Sequence, residues 1–428
     1  MASDQNNQDL NKIGGKLEKQ FAFRRNFIKA NGRGGAFSFI QRKSLRQMYL
    51  VAESFPKGSL ETKFNEIRET LADVLDRQNM RDSVVAISVF WHDLAQKQFL
   101  RQRFRDFFGE SLPQITYIPQ CSCFGKSIVV ELFAVGSENK NFEIRRHSEN
   151  SVEVLADNLS VLFCGDVYPD NKPQKSYFRS LNAFQKLQTL LVRESYNISN
   201  LYRTWLYLGH IVDIEDETQR YKELNRARTD FFNGQDFITD FLPQGYRGVA
   251  FPASTGIGAD DYDVVISSQA IKSERKNLIL VPLENPLQTP AFDYGQVYSP
   301  QSPKFSRAMA FVDGNDAKVY ISGTASITDS ESRFQGNPEH QTHQTLDNIA
   351  ALVTEENLSK HGINGFRATL EQLAVARVYV KNPSDFPTIR RVCEERIYGT
   401  PIVYVFADVC RPELLVEIEG IAIPEKFF

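Results

Sequence analysis

The chain has 428 residues, of which 42% are hydrophobic and 24% charged, a balance typical of soluble globular proteins. A net charge of −3 and a pI near 6.2 argue against a nucleic-acid partner held by phosphate neutralisation. There is no apolar run of about 18 residues, and the N-terminus lacks the apolar core of a signal peptide, so no membrane partner is expected. The five cysteines contain no CxxC pair, which together with these features predicts a cytoplasmic location.

The first predicted unit, residues 1–147, begins with a basic leader and continues in the order strand, helix, strand, helix, strand, strand. The leader contains GRGG at 32–35 and is either a phosphate-binding arm or a solvated segment. No helix start follows these glycines as a phosphate cradle requires, which favours the solvated leader. The predicted strands are RQMYLVAES, VVAISVF, ITYIPQCSC and SIVVELFAV, and the helices are the one carrying Phe64, Ile67, Leu71 and Val74 and the one reading KQFLRQRFRDFFG.

The same order of elements recurs twice more, in residues 148–282 and 283–428. The second unit has strands SVLFCGDVY, NLYRTWLYLGHIV, RGVAFPAST and YDVVISSQAI, and the third has KVYISGTAS, LAVARVYV, IVYVF and LLVEIEG. A sheet covered by two helices on one face must pack its other face against something. The repetition therefore predicts an α+β fold of three units packed as an intramolecular pseudo-trimer, and a monomer in solution.

The last long stretch, 402–420, predicts two strands joined by a polar turn. Glu417 and Glu419 alternate along the second strand and project from one face, which is either half-solvated or lining a cleft. Glu419 is a helper of Glu417 or a rim charge. Aligning SIVVELFAV with LLVEIEGIA predicts that Glu131 is the counterpart of Glu417, with Ile266 or Ser267 at this position in the second unit.

Residues 281–309 are rich in proline and aromatic residues, which predicts an extended path without a helix. This segment is either a linker or a wall of a pocket. His340 and His343 have a spacing that can bind a metal, but no third ligand is near, and a solvated helix start is favoured. No phosphate loop, dinucleotide fingerprint or GxSxG motif is present, so no metal and no cofactor are expected.

The motifs ISGTASI, QTxxTLDNI and VEIEGIA resemble the Rid (YjgF, imine deaminase) fold, a chorismate-mutase-like unit whose members form trimers with clefts between subunits. From about residue 160 onward the chain also resembles the chorismatase family, through NPLQTPAFDYGQVYSPQSPKFSRA, GTASITDSESR and ADVCRPELLVEIE. Two departures stand out. The first unit is additional to the chorismatase pattern, and the arginine of the Rid deaminases is replaced at Pro401 or a neighbour, which disfavours plain imine deamination.

The resemblance implies an enzyme of secondary metabolism that cleaves the enolpyruvyl ether of chorismate or a related cyclohexadiene to pyruvate and a hydroxybenzoate or dihydrodiol. It implies Glu417 as proton donor, since burial on a cleft-lining strand would raise its pKa. The expected substrate-binding residues are Arg307, Arg390, Arg228 and Arg247 for the carboxylates, Tyr294 and Tyr298 for other oxygens, and the backbone of Gly323, Thr324 and Ala325. The alternative is a non-catalytic or imine-deaminase-like Rid protein that binds small carboxylated metabolites, in which Glu417 is dispensable.

Overall fold

Three six-stranded mixed sheets form the body of the chain. The computed structural model describes residues 22–30, 33–42, 44–170, 175–261, 263–295 and 301–427. When the six strands of each sheet are numbered along the chain, their order across the sheet is 1-2-3-6-4-5 in all three, so the sheets share one topology. In each sheet the last two strands in this order are parallel, as a strand–helix–strand crossover requires.

The first sheet spans 22–137, and two helices pack against it. Its strands are β1 (Ala22–Ala30), β2 (Arg33–Arg42), β3 (Leu45–Glu53), β4 (Val84–Phe90), β5 (Gln114–Ile118) and β6 (Val129–Ser137). Its helices are α1 (Leu60–Arg77) and α2 (Lys97–Phe108). The Ser59 side chain caps α1 by accepting from the Thr62 amide. The predicted apolar stripe of α1 is buried against the sheet, because its residues repeat at helical spacing.

The second sheet spans 142–273 and has the same order. Its strands are β7 (Phe142–Ser148), β8 (Ser151–Ala156), β9 (Leu159–Val167), β10 (Leu201–Gly209), β13 (Ala253–Ala259) and β14 (Val264–Ser273). A short hairpin, β11 (Ile214–Glu215) and β12 (Thr218–Gln219), leads into the second of two helices, α3 (Ser176–Arg193) and α4 (Arg220–Phe232). The predicted boundary at 147 falls inside β7, and the division into units stays a prediction.

The third sheet spans 278–422. Its strands are β15 (Leu278–Leu283), β16 (Ala308–Asp313), β17 (Asp316–Ala325), β21 (Leu373–Val380), β22 (Ile402–Phe406) and β23 (Val416–Ala422). Two short pairs, β18 (Ile327–Thr328) with β19 (Glu331–Ser332) and β20 (Phe366–Arg367) with β24 (Glu425–Lys426), complete its strands. Its helices are α5 (Pro338–Leu352), α6 (Glu355–Lys360) and α7 (Phe386–Arg396). β23 begins at Val416 rather than at the predicted Leu414, because the Leu414 amide still closes the preceding turn on Arg411.

A shared apolar core joins the three sheets. Each sheet has its own core with its helices, and a further buried cluster combines Val51 of the first sheet, Tyr207 and Val265 of the second, and Tyr379 and Val403 of the third. Burying apolar surface between the sheets stabilises their association. In the part of the chain that the structure describes, no helix is both long and apolar enough to span a membrane.

Strand register corrects the predicted counterpart of Glu417 in the first sheet. A β-bulge interrupts the pairing of β4 with β6 at Ala134, and the same kind of bulge interrupts the pairing of β21 with β23 at Ala422. Glu131 precedes Ala134 by the same number of residues as Glu419 precedes Ala422. Glu131 is therefore the counterpart of Glu419, and the predicted equivalence with Glu417 is wrong by two residues.

The position of Glu417 is occupied by valine in the other two sheets. Register assigns Val129 to this position in the first sheet. In the second sheet the bulge lies at Ala270, so Ser267 corresponds to Glu419 and Val265 to Glu417. Both valines are buried in the shared apolar core. The third sheet is thus the one that places a carboxyl group at this point.

Candidate functional site

Glu417 lines a small cleft between the second and third sheets. The enclosed volume is about 80 Å³. Helix α4 and strand β13 form one wall, and β17, β23 and the segment before β16 form the other. This "Glu417 cleft" is defined by Tyr221, Asn225, Arg228, Ser254 and Gly256 of the second unit and Tyr294, Phe305, Arg307, Gly323, Ala325, Cys410, Arg411 and Glu417 of the third.

The Glu417 carboxyl group is buried and protonated at neutral pH. Its side chain is 4% exposed, and among the residues that the structure describes it has no hydrogen-bond partner. Burial and the nearby Glu419 raise the pKa of Glu417 to about 8, against the opposing pull of Arg307 and Arg203. A neutral carboxylic acid that faces an enclosed cleft can serve as a proton donor.

Gly323 gives the Glu417 carboxyl group its space. Glu417 Oε1 lies so close to this residue that a Cβ atom added there would overlap it, and Thr255 Cγ2 lies 3.1 Å from the same point. The Gly323 amide donates a hydrogen bond to Thr255 Oγ1 at 3.0 Å, which fixes the strand against the second unit. The absence of a side chain at Gly323 is therefore what lets Glu417 reach the cleft.

Glu419 is deeply buried and ionised, which corrects its interpretation as a rim charge. Its carboxylate accepts hydrogen bonds from Arg203, from Trp205 Nε1 at 2.9 Å and from Tyr379 at 2.8 Å, and pairs with Arg377 at 3.2 Å. Burial alone would raise its pKa, but Arg203 and Arg377 outweigh it and hold the pKa of Glu419 below its ordinary value. Two carboxyl groups on one strand thus have opposite protonation states, a pattern typical of acid–base sites.

Arg228 reaches the cleft from the second unit as a buried cation. Its guanidinium donates to Asn225 Oδ1 at 2.6 Å and to Ser254 Oγ at 3.4 Å, and it lies 5.5 Å from the ring centre of Phe305. Within the described ranges its Nε has no partner, and no carboxylate forms an ion pair with it. Burial lowers the pKa of Arg228 from its ordinary value.

Arg307 is a second buried arginine near Phe305, with its guanidinium 5.5 Å from the ring centre. Its Nη2 donates to the Thr289 carbonyl at 2.9 Å and to the Tyr294 hydroxyl at 2.6 Å, while its Nε is buried without a partner among the residues that the structure describes. Its backbone amide, not its guanidinium, contacts Glu284 at 3.4 Å, and burial raises the pKa of that carboxyl group to about 7. Because a buried cation is costly unless it is paired, two arginines with unused donors favour an anionic ligand.

The structure gathers most, but not all, of the predicted site residues. Glu417, Arg307, Arg228, Tyr294, Gly323 and Ala325 line the cleft. Thr324 is buried and donates its hydroxyl to the Ser322 carbonyl at 2.9 Å, so it faces its own strand. Tyr298 lies outside the described residues.

Two predicted arginines lie elsewhere, which corrects the sequence interpretation. Arg390 pairs with Glu394 at 2.7 Å and covers the ring of Phe124 at 4.9 Å, between the third and first sheets. The helix that closes the Glu417 cleft is α4 of the neighbouring unit, whereas Arg390 lies on the third unit's own α7. Arg247 is exposed in the loop before β13.

Sequence reasoning missed three polar residues of the second unit: Tyr221, Asn225 and Ser254. Asn225 and Arg228 are three apart on α4 and therefore lie on one helix face, a spacing that was available in the sequence. No group of three or more His, Cys, Asp or Glu side chains with metal-binding geometry occurs in the described ranges. His340 is exposed at the start of α5, where its amide donates to the Asn337 cap at 3.0 Å.

Comparison with known proteins adds to this geometry. Residues 300–424 match the endoribonuclease L-PSP family. The 3-hydroxybenzoate synthase of Streptomyces hygroscopicus is 31% identical over 281 residues, which are 64% of this chain and 77% of that protein. A chorismatase of Streptomyces rapamycinicus is 32% identical over 226 residues, 52% of this chain and 64% of that protein.

A solved structure agrees with this likeness at the level of fold. The crystal structure of a chorismatase superposes with a TM-score of 0.60 and 20% identity, covering 80% of this chain and 93% of that one. The sequence relationship to the 3-hydroxybenzoate synthase extends over more than two thirds of that protein. The chain therefore belongs to the chorismatase family of enzymes and has its Rid-like fold.

Proposed function

We propose that the protein cleaves the enolpyruvyl ether of chorismate, or of a closely related cyclohexadiene, in the Glu417 cleft and releases pyruvate. The observation that carries this proposal is the meeting of one protonated carboxyl group, Glu417, with two buried arginines that have no carboxylate partner in the described chain, Arg228 and Arg307. The names of the relatives, 3-hydroxybenzoate synthase and chorismatase, supply the substrate class.

The charges of the cleft match a dicarboxylate with an acid-labile ether. Chorismate carries one carboxylate on its ring and one on its enolpyruvyl group. We assign one carboxylate to Arg228 and the other to Arg307, because a guanidinium with unused N–H groups binds a carboxylate strongly. The Phe305 ring, whose centre is 5.5 Å from each guanidinium, provides an apolar surface near both carboxylates.

The chemical step begins with proton transfer from Glu417 to the methylene carbon of the enolpyruvyl group. The electrons of the double bond form the new C–H bond and leave an oxocarbenium ion beside the new Glu417 carboxylate, which Arg307 and Arg203 stabilise. Water adds to the cation and returns its proton to Glu417. The hemiketal then collapses to pyruvate, and the ring oxygen leaves with a proton.

The fate of the ring distinguishes two products. The path through water consumes one water and gives a dihydrodiol. If a ring hydroxyl group of the substrate adds to the cation instead, it returns its proton to Glu417 and forms a cyclic ketal. Loss of one ring proton with cleavage of one ring carbon–oxygen bond then aromatises the ring, and collapse of the remaining hemiketal gives pyruvate and a hydroxybenzoate with no water consumed in total. Both outcomes release pyruvate and use the same proton donor.

The proposed function also concerns how the three units of the chain pack together. We infer that units 1–147, 148–282 and 283–428 form an intramolecular pseudo-trimer that acts as a monomer. The shared strand order and the common apolar core support it. Register gives valine in place of Glu417 in the other two sheets, so we place the chemistry in one of the three clefts.

The function is tested by incubating the protein with chorismate and assaying pyruvate with lactate dehydrogenase. We expect pyruvate to form in a molar ratio of one to the ring product, and mass spectrometry then shows whether one water has been added. If no pyruvate forms above a heat-inactivated control, the proposed function is wrong. A protein that binds chorismate without consuming it would instead fit the binding role of a non-catalytic Rid protein.

We expect Arg307→Gln to lower kcat/KM for chorismate by about 100-fold, mainly through KM. A charge-assisted hydrogen bond contributes up to about 3 kcal/mol, and about 1.4 kcal/mol corresponds to a factor of ten. Initial rates of pyruvate release at several chorismate concentrations measure the effect. Arg247→Gln is the matched control, since Arg247 is exposed outside the cleft. Equal kinetics of the two variants would remove Arg307 from substrate binding.

A further inference from the structure

A second, larger cavity lies where the three sheets meet, away from the Glu417 cleft. Its volume is about 580 Å³, within the range of about 300–1,000 Å³ that is usual for small-molecule sites. All three sheets line it, and none of its described lining residues also lines the Glu417 cleft. We call it the three-sheet cavity and define it by Leu45 and Phe133 of the first sheet, Val161 and Phe163 of the second, and Phe311 and Lys318 of the third.

Lys318 is the polar group that singles this cavity out. It lies on β17 and is 91% buried, being 9% exposed. Its Nζ lies 5.3 Å from the ring centre of Phe133, 5.6 Å from that of Tyr49 and 5.5 Å from that of Tyr320. Within the described ranges its amine forms no hydrogen bond and no ion pair. A buried ammonium group held only by aromatic rings lacks the anion that normally compensates it.

The other charged groups of the cavity already have partners. Arg42 pairs with Asp316 at 3.3 Å, and Arg275 pairs with Asp313. The carboxylate of Asp157 accepts from Asn139 and Asn141. The acidic residues at the mouth of the cavity therefore already have partners. Among the described residues that line the cavity, Lys318 is a cation whose charge is available to a ligand.

We propose that the three-sheet cavity binds a small aromatic monocarboxylate, with its carboxylate paired to Lys318 and its ring packed against Phe133 and Phe163. One available cation favours one carboxylate. Apolar and aromatic walls favour a flat hydrocarbon body over a polar one. The site shares none of the described residues of the Glu417 cleft, so the proposal is independent of whether the protein cleaves chorismate.

Titration of Lys318 gives the site a characteristic pH dependence. Burial and the nearby Arg42 lower the pKa of Lys318 to about 7. The tyrosines that face it, Tyr49 and Tyr320, have raised pKa values because they are buried, so they stay neutral in this range. A carboxylate binds the ammonium form, and affinity is therefore constant below pH 7 and falls about tenfold per pH unit above it.

Benzoate is the probe, titrated calorimetrically into the full chain at pH 6.5 and 8.5. We expect Lys318→Met to weaken the pH-dependent binding event at least tenfold, and benzamide, which has no charge, not to bind there. Lys272→Met is the matched control, because Lys272 also lies over a tyrosine ring, Tyr196 at 4.1 Å, but does not line this cavity. If Lys318→Met binds benzoate as the wild type does at both pH values, the proposal is wrong.

A second measurement avoids any variant. Acetylation of the wild type with acetic anhydride, followed by peptide mass spectrometry, gives the rate at each lysine. We expect saturating benzoate to slow acetylation of Lys318 at least fivefold and to leave the exposed Lys57 unchanged. Equal rates at Lys318 with and without benzoate would contradict a ligand paired with its amine.

Discussion

Glu417→Gln is expected to lower kcat for pyruvate release from chorismate by about 10²–10⁴-fold, the usual contribution of a general acid. Glutamine keeps the size and the neutral charge of the protonated side chain, but it is far too weak an acid to protonate the methylene carbon. Binding of chorismate, measured by calorimetry with the variant, should stay within about threefold of the wild-type value, because both side chains are neutral when the substrate binds.

The control for this variant is Glu425→Gln. Glu425 is exposed near the same end of the chain and lies outside the cleft. It should leave both kcat and binding unchanged. Wild-type rates in Glu417→Gln would remove Glu417 as the proton donor while leaving the proposed function intact, since pyruvate would still form.

The pH profile of the wild type tests the same assignment independently. The active form of Glu417 is protonated, and its pKa is raised to about 8. The ratio kcat/KM should therefore be flat from pH 6 to 7 and fall about tenfold per unit above pH 8. A ratio that rises through pH 8 would mean that Glu417 acts as a base.

The sequence located the cleft, because its signals are local. The turn and acidic strand around Glu417 and the segment around Tyr294 and Arg307 each have a distinctive sequence pattern. Comparison of the three repeats indicates that the other two lack these segments. The two arginines that line the cleft from different sheets, Arg307 and Arg228, were both predicted. Their shared contact with Phe305 depends on packing between units and has no signature in the sequence.

The register and two arginines could not be predicted for definite physical reasons. Side chains alternate along a strand, so a shift of two residues keeps Glu131 on the same face, and only the bulge at Ala134 decides between counterparts. Arg390 was predicted in the cleft because its helix was expected to face the last strands, which carry Glu417. The unit order instead brings α4 of the second unit to that position, which local patterns do not encode.

A buried network around Glu419 joins all three sheets. Arg377 of the third sheet donates to the Glu131 carboxylate of the first at 2.7 Å and pairs with Glu419 at 3.2 Å. It also donates to the Tyr207 hydroxyl of the second sheet at 2.7 Å. Arg203 of the second sheet completes the contact by pairing with Glu419. Glu419 thus compensates Arg203 and shares the compensation of Arg377 with Glu131, and both arginines are nearly inaccessible to solvent.

Glu419→Gln is therefore expected to lower the free energy of unfolding by about 3–5 kcal/mol, the usual cost of removing one member of a buried ion pair. Urea denaturation followed by circular dichroism measures it. Adding Arg203→Met should recover part of the loss, because one uncompensated cation is removed with its partner. Glu425→Gln, on the exposed strand β24, should change stability by less than about 0.5 kcal/mol.

The same variant connects stability with the proposed chemistry. The Glu419 charge helps to raise the pKa of Glu417, so its removal should lower that pKa and move the alkaline fall of kcat/KM to lower pH. A variant that is only destabilised would lose activity at every pH, and its kcat/KM would still decrease at the wild-type pH. If Glu419→Gln unfolds at the wild-type urea concentration and keeps the wild-type pH profile, neither the stabilising network nor the coupling between the two carboxyl groups exists as described. If stability falls but the alkaline decrease of kcat/KM stays at the same pH, Glu419 holds the sheets together and the raised pKa of Glu417 comes from burial without a contribution from Glu419.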